Sequence, residues 1–287
     1  MRLCRFDEGR LGLIEDNTIR DVTAALDALP SYRYPLPTFD VLIANLDDVK
    51  RRIAALPHSS ARPLAGARLL SPVANPGKIV AAPVNYQKHL EEVRDNAALH
   101  HDQAGHRAPI HEIGLFLKAS SSVVGPGEGI AIRKIERRND HEVELAVVIG
   151  RRANNVAKSD ALTYVAGYTI GLDISIRGPE DRSFRKSVDS YTVLAPCLVT
   201  ADELPNPGSL DLRISVSGEE RQRSNTKYLI LDVADLIAFA SSFYTLHPGD
   251  VILTGTPEGV GPIQPGDVLT ACIERIGSMD VHVRAAP

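Results

Sequence analysis

One stretch constrains this chain more than any other: Asp140-His141-Glu142-Val143-Glu144-Leu145-Ala146-Val147-Val148-Ile149-Gly150. Side chains of an extended segment alternate between two faces. Val143, Leu145, Val147 and Ile149 fall on one face, an apolar one that belongs against a core. Glu142 and Glu144 fall side by side on the other, with only Ala146 and Val148 beyond them. Adjacent carboxylates on an apolar strand repel unless a cation lies between them. Oxygen-only ligands favour a hard divalent ion such as Mg²⁺, Mn²⁺ or Ca²⁺. The alternative for this stretch is an edge strand with a solvated acidic face.

A second stretch, Tyr168-Thr169-Ile170-Gly171-Leu172-Asp173-Ile174-Ser175, alternates in the same way. Tyr168, Ile170, Leu172 and Ile174 form its apolar face, and Asp173 is the charge on the other. If the two strands share a sheet, Asp173 completes a site with Glu142 and Glu144. Three monodentate carboxylates fill half of an octahedron and leave positions for water and substrate, which is the form of a catalytic site.

Composition narrows the class. With 287 residues, 44% of them hydrophobic, the chain can bury a proper core as one large domain or as one large and one small. A net charge of −4 argues against general binding to nucleic acid or anionic membranes. Cys4, Cys197 and Cys272 are too scattered for a disulfide framework or a zinc cluster. No apolar run reaches bilayer length and the N-terminus has no apolar signal core, so a soluble cytoplasmic protein is expected.

Along the chain, residues 1–70 read as a small leading unit. Met1–Phe6 and Leu11–Glu15 are expected strands, and Thr38 is the expected cap of a helix carrying Leu42, Leu46, Val49, Ile53 and Leu56. Pro57–Lys78 reads as a linker and Lys78–Pro83 as a short strand. Asn85–Val93 reads as a helix with His89 and Glu92 on one face, where a carboxylate can fix the imidazole tautomer and make its other nitrogen a base. The plain alternative is a solvated polar pair. Arg94–Glu112, polar and holding His100, His101, His106 and His111, reads as a solvated loop or an active-site lid. Ser159 is the expected cap of a short helix, and Arg177–Asp189 a charged loop that is either solvated or a source of cations for an anionic substrate. Val233–Phe243 reads as a helix. Leu212–Val216, Val251–Thr254, Val268–Ile273 and Val281–Val283 read as strands. Gly255-Thr256-Pro257-Glu258-Gly259-Val260-Gly261 has no Lys-Ser/Thr end and is no Walker loop, though its backbone N–H groups can approach an anion.

Taken together, these residues resemble the fumarylacetoacetate hydrolase family, in its acylpyruvase or 2-hydroxyhepta-2,4-diene-1,7-dioate isomerase-like branch, from Lys78 to the C-terminus. Four motifs in order carry the resemblance: Asn85-Tyr86 with His89 and Glu92; Glu142-x-Glu144-Leu145; Asp173-x-Ser175-x-Arg177 with Lys186-Ser187-x-Asp189; and Gly255-Thr256-Pro257-x-Gly259-Val260-Gly261. The resemblance implies a mainly β fold with α+β elements, a mixed β-sandwich roll (71–287) behind a small N-terminal α+β domain (1–70), assembled as a homodimer. It implies Glu142, Glu144 and Asp173 as ligands of Mg²⁺ or Mn²⁺, with Ca²⁺ possible. It also implies catalytic roles for His89, Glu92 and Lys186, and substrate binding by Tyr86, Lys118, Arg177 and Thr256. The implied reaction is hydrolysis of a C–C bond in an acylpyruvate-type 2,4-dioxo acid through a metal-stabilised enolate, with the His–Glu dyad activating water. The partner would be a small 2-oxo acid, with no nucleic acid or membrane. Decarboxylation of an oxaloacetate-like acid and isomerisation or hydration of unsaturated 2-oxo diacids in aromatic catabolism are the alternatives. A non-catalytic metal-binding module is a third reading. The chain departs from the pattern at Leu172, where many members have Asn, and at Glu180, where many have Gln. It also departs in the longer segment between Glu92 and Ile113.

Overall fold

The computed structural model describes residues 1–57, 60–100 and 108–287. In chain order the N-terminal segment gives β1 (Arg2–Phe6), β2 (Arg10–Glu15) and β3 (Thr18–Asp21), then helices α1 (Val41–Ala44) and α2 (Leu46–Ala55). After these come β4 (Ala61–Pro63), β5 (Leu69–Leu70) and β6 (Ile79–Ala81), then α3 (Gln87–Asp95), α4 (Ala97–His100) and α5 (Ile110–Ile113). The middle of the chain supplies β7 (Phe116–Lys118), β8 (Val123–Val124), β9 (Ile130–Ile132), β10 (Asn139–His141), β11 (Val143–Ile149), β12 (Val165–Asp173), β13 (Ser175–Ile176), α6 (Arg182–Lys186) and β14 (Thr192–Thr200). The last third adds β15 (Asp211–Val216), β16 (Glu219–Asn225), α7 (Val233–Phe243), β17 (Val251–Leu253), β18 (Gly261–Pro262), β19 (Val268–Ile273) and β20 (Gly277–Ala285).

The molecule is mainly β with a few helices, as its sequence predicts. A large mixed sheet runs β4, β3, β2, β1, β14, β12, β11, β17, β6, β7, with β5 on β1 and β8 on β14. A second sheet runs β16, β15, β19, β20, β9, and a small one runs β13, β10, β18. The N-terminal strands join the large sheet through the antiparallel β1–β14 pair. No helix among the described residues is long and apolar enough to cross a membrane.

Strand β11 lies in the middle of this sheet, antiparallel to β12 on one side and β17 on the other. Every one of its residues is buried. That rules out the edge-strand alternative and explains the composition of both faces. Val143, Leu145, Val147 and Ile149 pack into the main core with Tyr168, Ile170, Leu172 and Ile174 of the second predicted strand. Ala146 and Val148 pack instead against Leu3, Leu11, Ile43 and Val49 of the N-terminal segment. Burying an aliphatic side chain contributes about 1.5–3 kcal/mol, so both layers hold β11 in place.

Several local expectations change. Asp40, not Thr38, caps the first helix: its Oδ1 accepts from Ile43 N at 3.0 Å, and its Oδ2 accepts from Ala74 N and Asn75 N. The helix then breaks at Asn45, so the predicted single helix is two. Ser159 lies inside a 3₁₀ turn spanning Lys158–Tyr164 rather than at its cap, which is Ala157. The stretch read as a linker holds β4 and β5, both paired into the large sheet. The charged 177–189 segment contains α6, capped by Asp181 accepting from Ser183 N at 2.7 Å. Of the histidine-bearing stretch 94–112, residues 101–107 lie outside the described residues, and α4 and α5 flank them.

Candidate active site

The fold places the three predicted carboxylates at a corner. Glu142 is the residue between β10, which pairs in the small sheet, and β11, which pairs in the large one. Asp173 ends β12 just before β13 makes the same change of sheet. Asp173 N donates to Glu142 O at 3.0 Å, fixing the register. Glu144 sits opposite Gly171. The two strands therefore do share a sheet. Glu142, Glu144 and Asp173 each present an oxygen within 4.8 Å of the others, and all three are buried.

Cations and N–H groups close in around them. Lys186 Nζ donates to Glu142 Oε2 and to Asp173 Oδ2, both at 2.6 Å. Lys118 Nζ donates to Asp173 and, at 2.8 Å, to Tyr191 O. Arg177 Nη2 donates to Glu142 Oε1 at 3.0 Å while its Nε donates to Asp140 at 2.7 Å. Ser175 Oγ donates to Glu142 Oε1 at 3.0 Å. Burial alone would raise the Glu142 carboxyl, but Lys186 and Arg177 outweigh it and hold it at about 2. Glu144 receives less of that help: Lys186 and the Gly255 N–H pull it down, but they are outweighed. Burial, then the charges of Asp173 and Glu142, push it well above the ordinary carboxylate range. Its Oε2 accepts only the Gly255 N–H, at 2.7 Å, among the hydrogen bonds of the described residues. A buried, repelling, all-oxygen triad fits a hard divalent cation, which removes the repulsion that protonation otherwise relieves.

Helix α3 holds the dyad over this corner. His89 Nδ1 donates to Glu92 Oε2 at 2.7 Å, and Glu92 Oε1 accepts from Gly259 N at 3.0 Å. His89 is 3% exposed, which excludes the solvated-pair alternative. The turn after β17 thus holds a triad carboxylate through Gly255 and the dyad carboxylate through Gly259. Both glycines have φ of +93°, a left-handed backbone that other residues rarely adopt. A Cβ on Gly259 would lie 2.2 Å from Arg221 O. Asn85, fully buried before α3, ties the helix entry down by donating to Leu231 O and Thr254 O at 2.9 and 2.8 Å.

A small cavity of about 30 Å³ lies between dyad and triad, enough for one water molecule. His89, Val93 and Leu99 wall it on the helical side, and Glu142, Arg177 and Lys186 on the sheet side. A larger cavity, about 640 Å³, lies away from all of the predicted site residues, against Asp47, Lys50, Arg151 and Asp202. It holds none of the chemistry.

The remaining predicted residues divide. Tyr86 is 1% exposed, and its hydroxyl has no hydrogen-bond partner among the described residues. Burial and the nearby charge of Glu144 push its pKa up. Thr256, by contrast, is taken up by protein, donating to Val143 O at 2.9 Å and accepting from Gln222 Nε2 at 2.8 Å. Gln222 was not foreseen. Its carboxamide also donates to Pro257 O at 2.8 Å and accepts from Val143 N at 3.1 Å, bridging the ligand strand to the Gly255–Gly259 turn. It lies in the polar run Glu219-Glu220-Arg221-Gln222-Arg223, where the only sequence signal is its lack of charge.

Comparison with known proteins places the chain in a family. A family profile, Fumarylacetoacetate (FAA) hydrolase C-terminal, matches residues 78–284. Maleylpyruvate hydrolase from Aquipseudomonas alcaligenes is 57% identical over 286 residues, covering 99% of this chain and 100% of the relative. The mitochondrial oxaloacetate tautomerase Fahd2a of Rattus norvegicus is 37% identical over 220 residues, 72% of this chain and 66% of that protein. Among solved structures, maleylpyruvate hydrolase from Sphingobium sp. SYK-6, crystallised with manganese(II) ion and pyruvate, is 38% identical and superposes with a TM-score of 0.84, each chain covered in full. The chain belongs to the fumarylacetoacetate hydrolase family.

Proposed function

We propose that this protein hydrolyses the C–C bond between the pyruvate and acyl parts of an acylpyruvate, with maleylpyruvate as the leading substrate. The single observation that carries this reading is the His89–Glu92 pair, held across a one-water cavity from the carboxylate triad. In this proposal Glu142, Glu144 and Asp173 hold Mg²⁺ or Mn²⁺, with Ca²⁺ as a further candidate. When bound, that ion supplies Lewis-acid polarisation at the pyruvate end of the substrate. Lys186 and Lys118 offset the charge of the carboxylates. Tyr86 offers its hydroxyl to a substrate oxygen, Arg177 lines the substrate side of the corner, and Thr256 braces the turn after β17.

Glu92 accepts the Nδ1 proton of His89, so Nε2 carries a lone pair and takes a proton from water. The hydroxide adds to the distal carbonyl carbon. The bond to the pyruvate methylene then breaks, and its electron pair is protonated on the pyruvate fragment. One water is consumed, giving pyruvate and a carboxylic acid, maleate when the acyl group is maleyl. Tautomerisation or decarboxylation needs no attacking water, so the oriented dyad favours hydrolysis over both.

The test is His89→Ala beside Glu92→Gln. Each keeps one Mn²⁺ per chain, and His89→Ala loses about 10²–10⁴ in kcat. Undiminished turnover in His89→Ala overturns the assignment. The family resemblance also supports a cytoplasmic homodimer with residues 1–70 as a small domain beside the catalytic 71–287. A monomer in sedimentation equilibrium would refute the dimer.

A further inference from the structure

Arg185 is 3% exposed and lines the cavity between dyad and triad. Its Nε donates to Glu180 O at 2.8 Å and its Nη1 to Ile176 O at 2.9 Å. Two main-chain carbonyls therefore fix the plane of the guanidinium and use two of its five donors. The other cations of the corner are matched: Lys186 to Glu142 and Asp173, Lys118 to Asp173, Arg177 to Asp140 and Glu142. Arg185 forms no ion pair with a carboxylate among the described residues. The carboxylates of Glu142, Glu180 and Asp173 attract Arg185 from a distance but none bonds to it. A buried cation with no bonded counter-charge is costly, and a rigid, partly used guanidinium fork suits a carboxylate. Arg182 lines the same cavity and adds positive potential, while Pro83, Val84 and Leu99 supply an apolar wall.

We propose that Arg185 binds the distal carboxylate of the substrate, making the enzyme selective for acylpyruvates whose acyl group is itself an acid. This rests on the hydrolase reading above and deepens it. The triad takes the pyruvate end, the apolar wall faces the hydrocarbon between, and Arg185 supplies the counter-charge at the far end. A maleyl group meets that requirement, and an acetyl group does not.

The experiment compares kcat/KM of the Mn²⁺-loaded enzyme on maleylpyruvate, on its distal monomethyl ester and on acetylpyruvate. The native protein is expected to prefer the free diacid over the ester by about 10²-fold, without any variant having to fold. Arg185→Gln is expected to lower the ratio of maleylpyruvate to acetylpyruvate kcat/KM by about 10²-fold, chiefly through KM, and Arg185→Lys to recover part of it. Equal handling of acid and ester overturns the proposal, as does a common fall on both substrates that leaves the ratio intact. Titration calorimetry with maleate separates this from the hydrolase reading. If the native protein turns over neither acylpyruvate, the hydrolase reading fails. The anion site still stands if maleate binds the native protein at least 10-fold more tightly than Arg185→Gln, and it falls if the two bind alike.

Discussion

Gln222→Leu removes the carboxamide that joins the ligand strand to the turn holding Glu144 and Glu92. Gln222 is 1% exposed and the only buried residue of β16. It makes hydrogen bonds to Val143 N, His141 Nδ1, Thr256 Oγ1 and Pro257 O. Leucine fills similar space and leaves these groups without their partner. Thr256 Oγ1 keeps its bond to Val143 O, so three orphaned groups remain: Val143 N, His141 Nδ1 and Pro257 O. At about 1–1.5 kcal/mol for each buried polar group left unmet, the loss is about 3–5 kcal/mol. In a chain of this size that lowers Tm by roughly 6–15 °C. The assay is thermal unfolding without metal, followed by Mn²⁺ titration, because the displaced turn also carries the Gly255 N–H that holds Glu144. A Gln222→Leu protein that melts within about 2 °C of the native one and binds Mn²⁺ equally well refutes the reasoning.

Other expectations concern the same corner. Glu144 has a folded pKa raised above its ordinary 4.5. Its contribution to metal-free stability is therefore intact below about pH 4.5 and is lost as pH rises from there toward the raised value. Glu144→Gln flattens that decline and raises metal-free Tm near pH 8 while weakening Mn²⁺ binding; an unchanged Tm–pH profile contradicts this. Gly255→Ala forces alanine into a φ of +93° and puts its Cβ 2.7 Å from Asn85 Cβ. It is expected to lose about 2–4 kcal/mol, measured by urea unfolding, and a loss below about 1 kcal/mol would show that the turn yields. Asn85→Ala frees the carbonyls of Leu231 and Thr254 and is expected to lower both Tm and kcat; native kcat would mean that α3 is positioned without it.

The triad was legible because period-two alternation exposes two glutamates on a strand that otherwise carries only apolar residues, and Asp173 repeats the signal. The pattern alone leaves a solvated edge strand open; the burial of every residue of β11, Ala146 and Val148 included, removes that alternative. Helical spacing shows only that His89 and Glu92 can touch and leaves a solvated pair open; the 2.7 Å contact and the burial of His89 decide it. Helix starts were less legible, because Thr38 and Asp40 are both competent caps in sequence. The tertiary bonds from Asp40 to Ala74 and Asn75 decide between them. The central strand β14 is a continuous uncharged run interrupted by Pro196, with no polar–apolar alternation to mark it in the sequence. Gln222 and Arg185 share a different reason for being missed. Each lies in a charged or polar run, and only long-range pairing shows that one side chain in the run turns inward.

The most direct test of the account is turnover of metal-stripped protein on maleylpyruvate and on oxaloacetate, with Mn²⁺ or Mg²⁺ added back. The account predicts release of pyruvate and maleate in equal amounts, only with metal. Metal-dependent conversion of oxaloacetate with no cleavage of maleylpyruvate would contradict it and assign the same corner to proton transfer or decarboxylation.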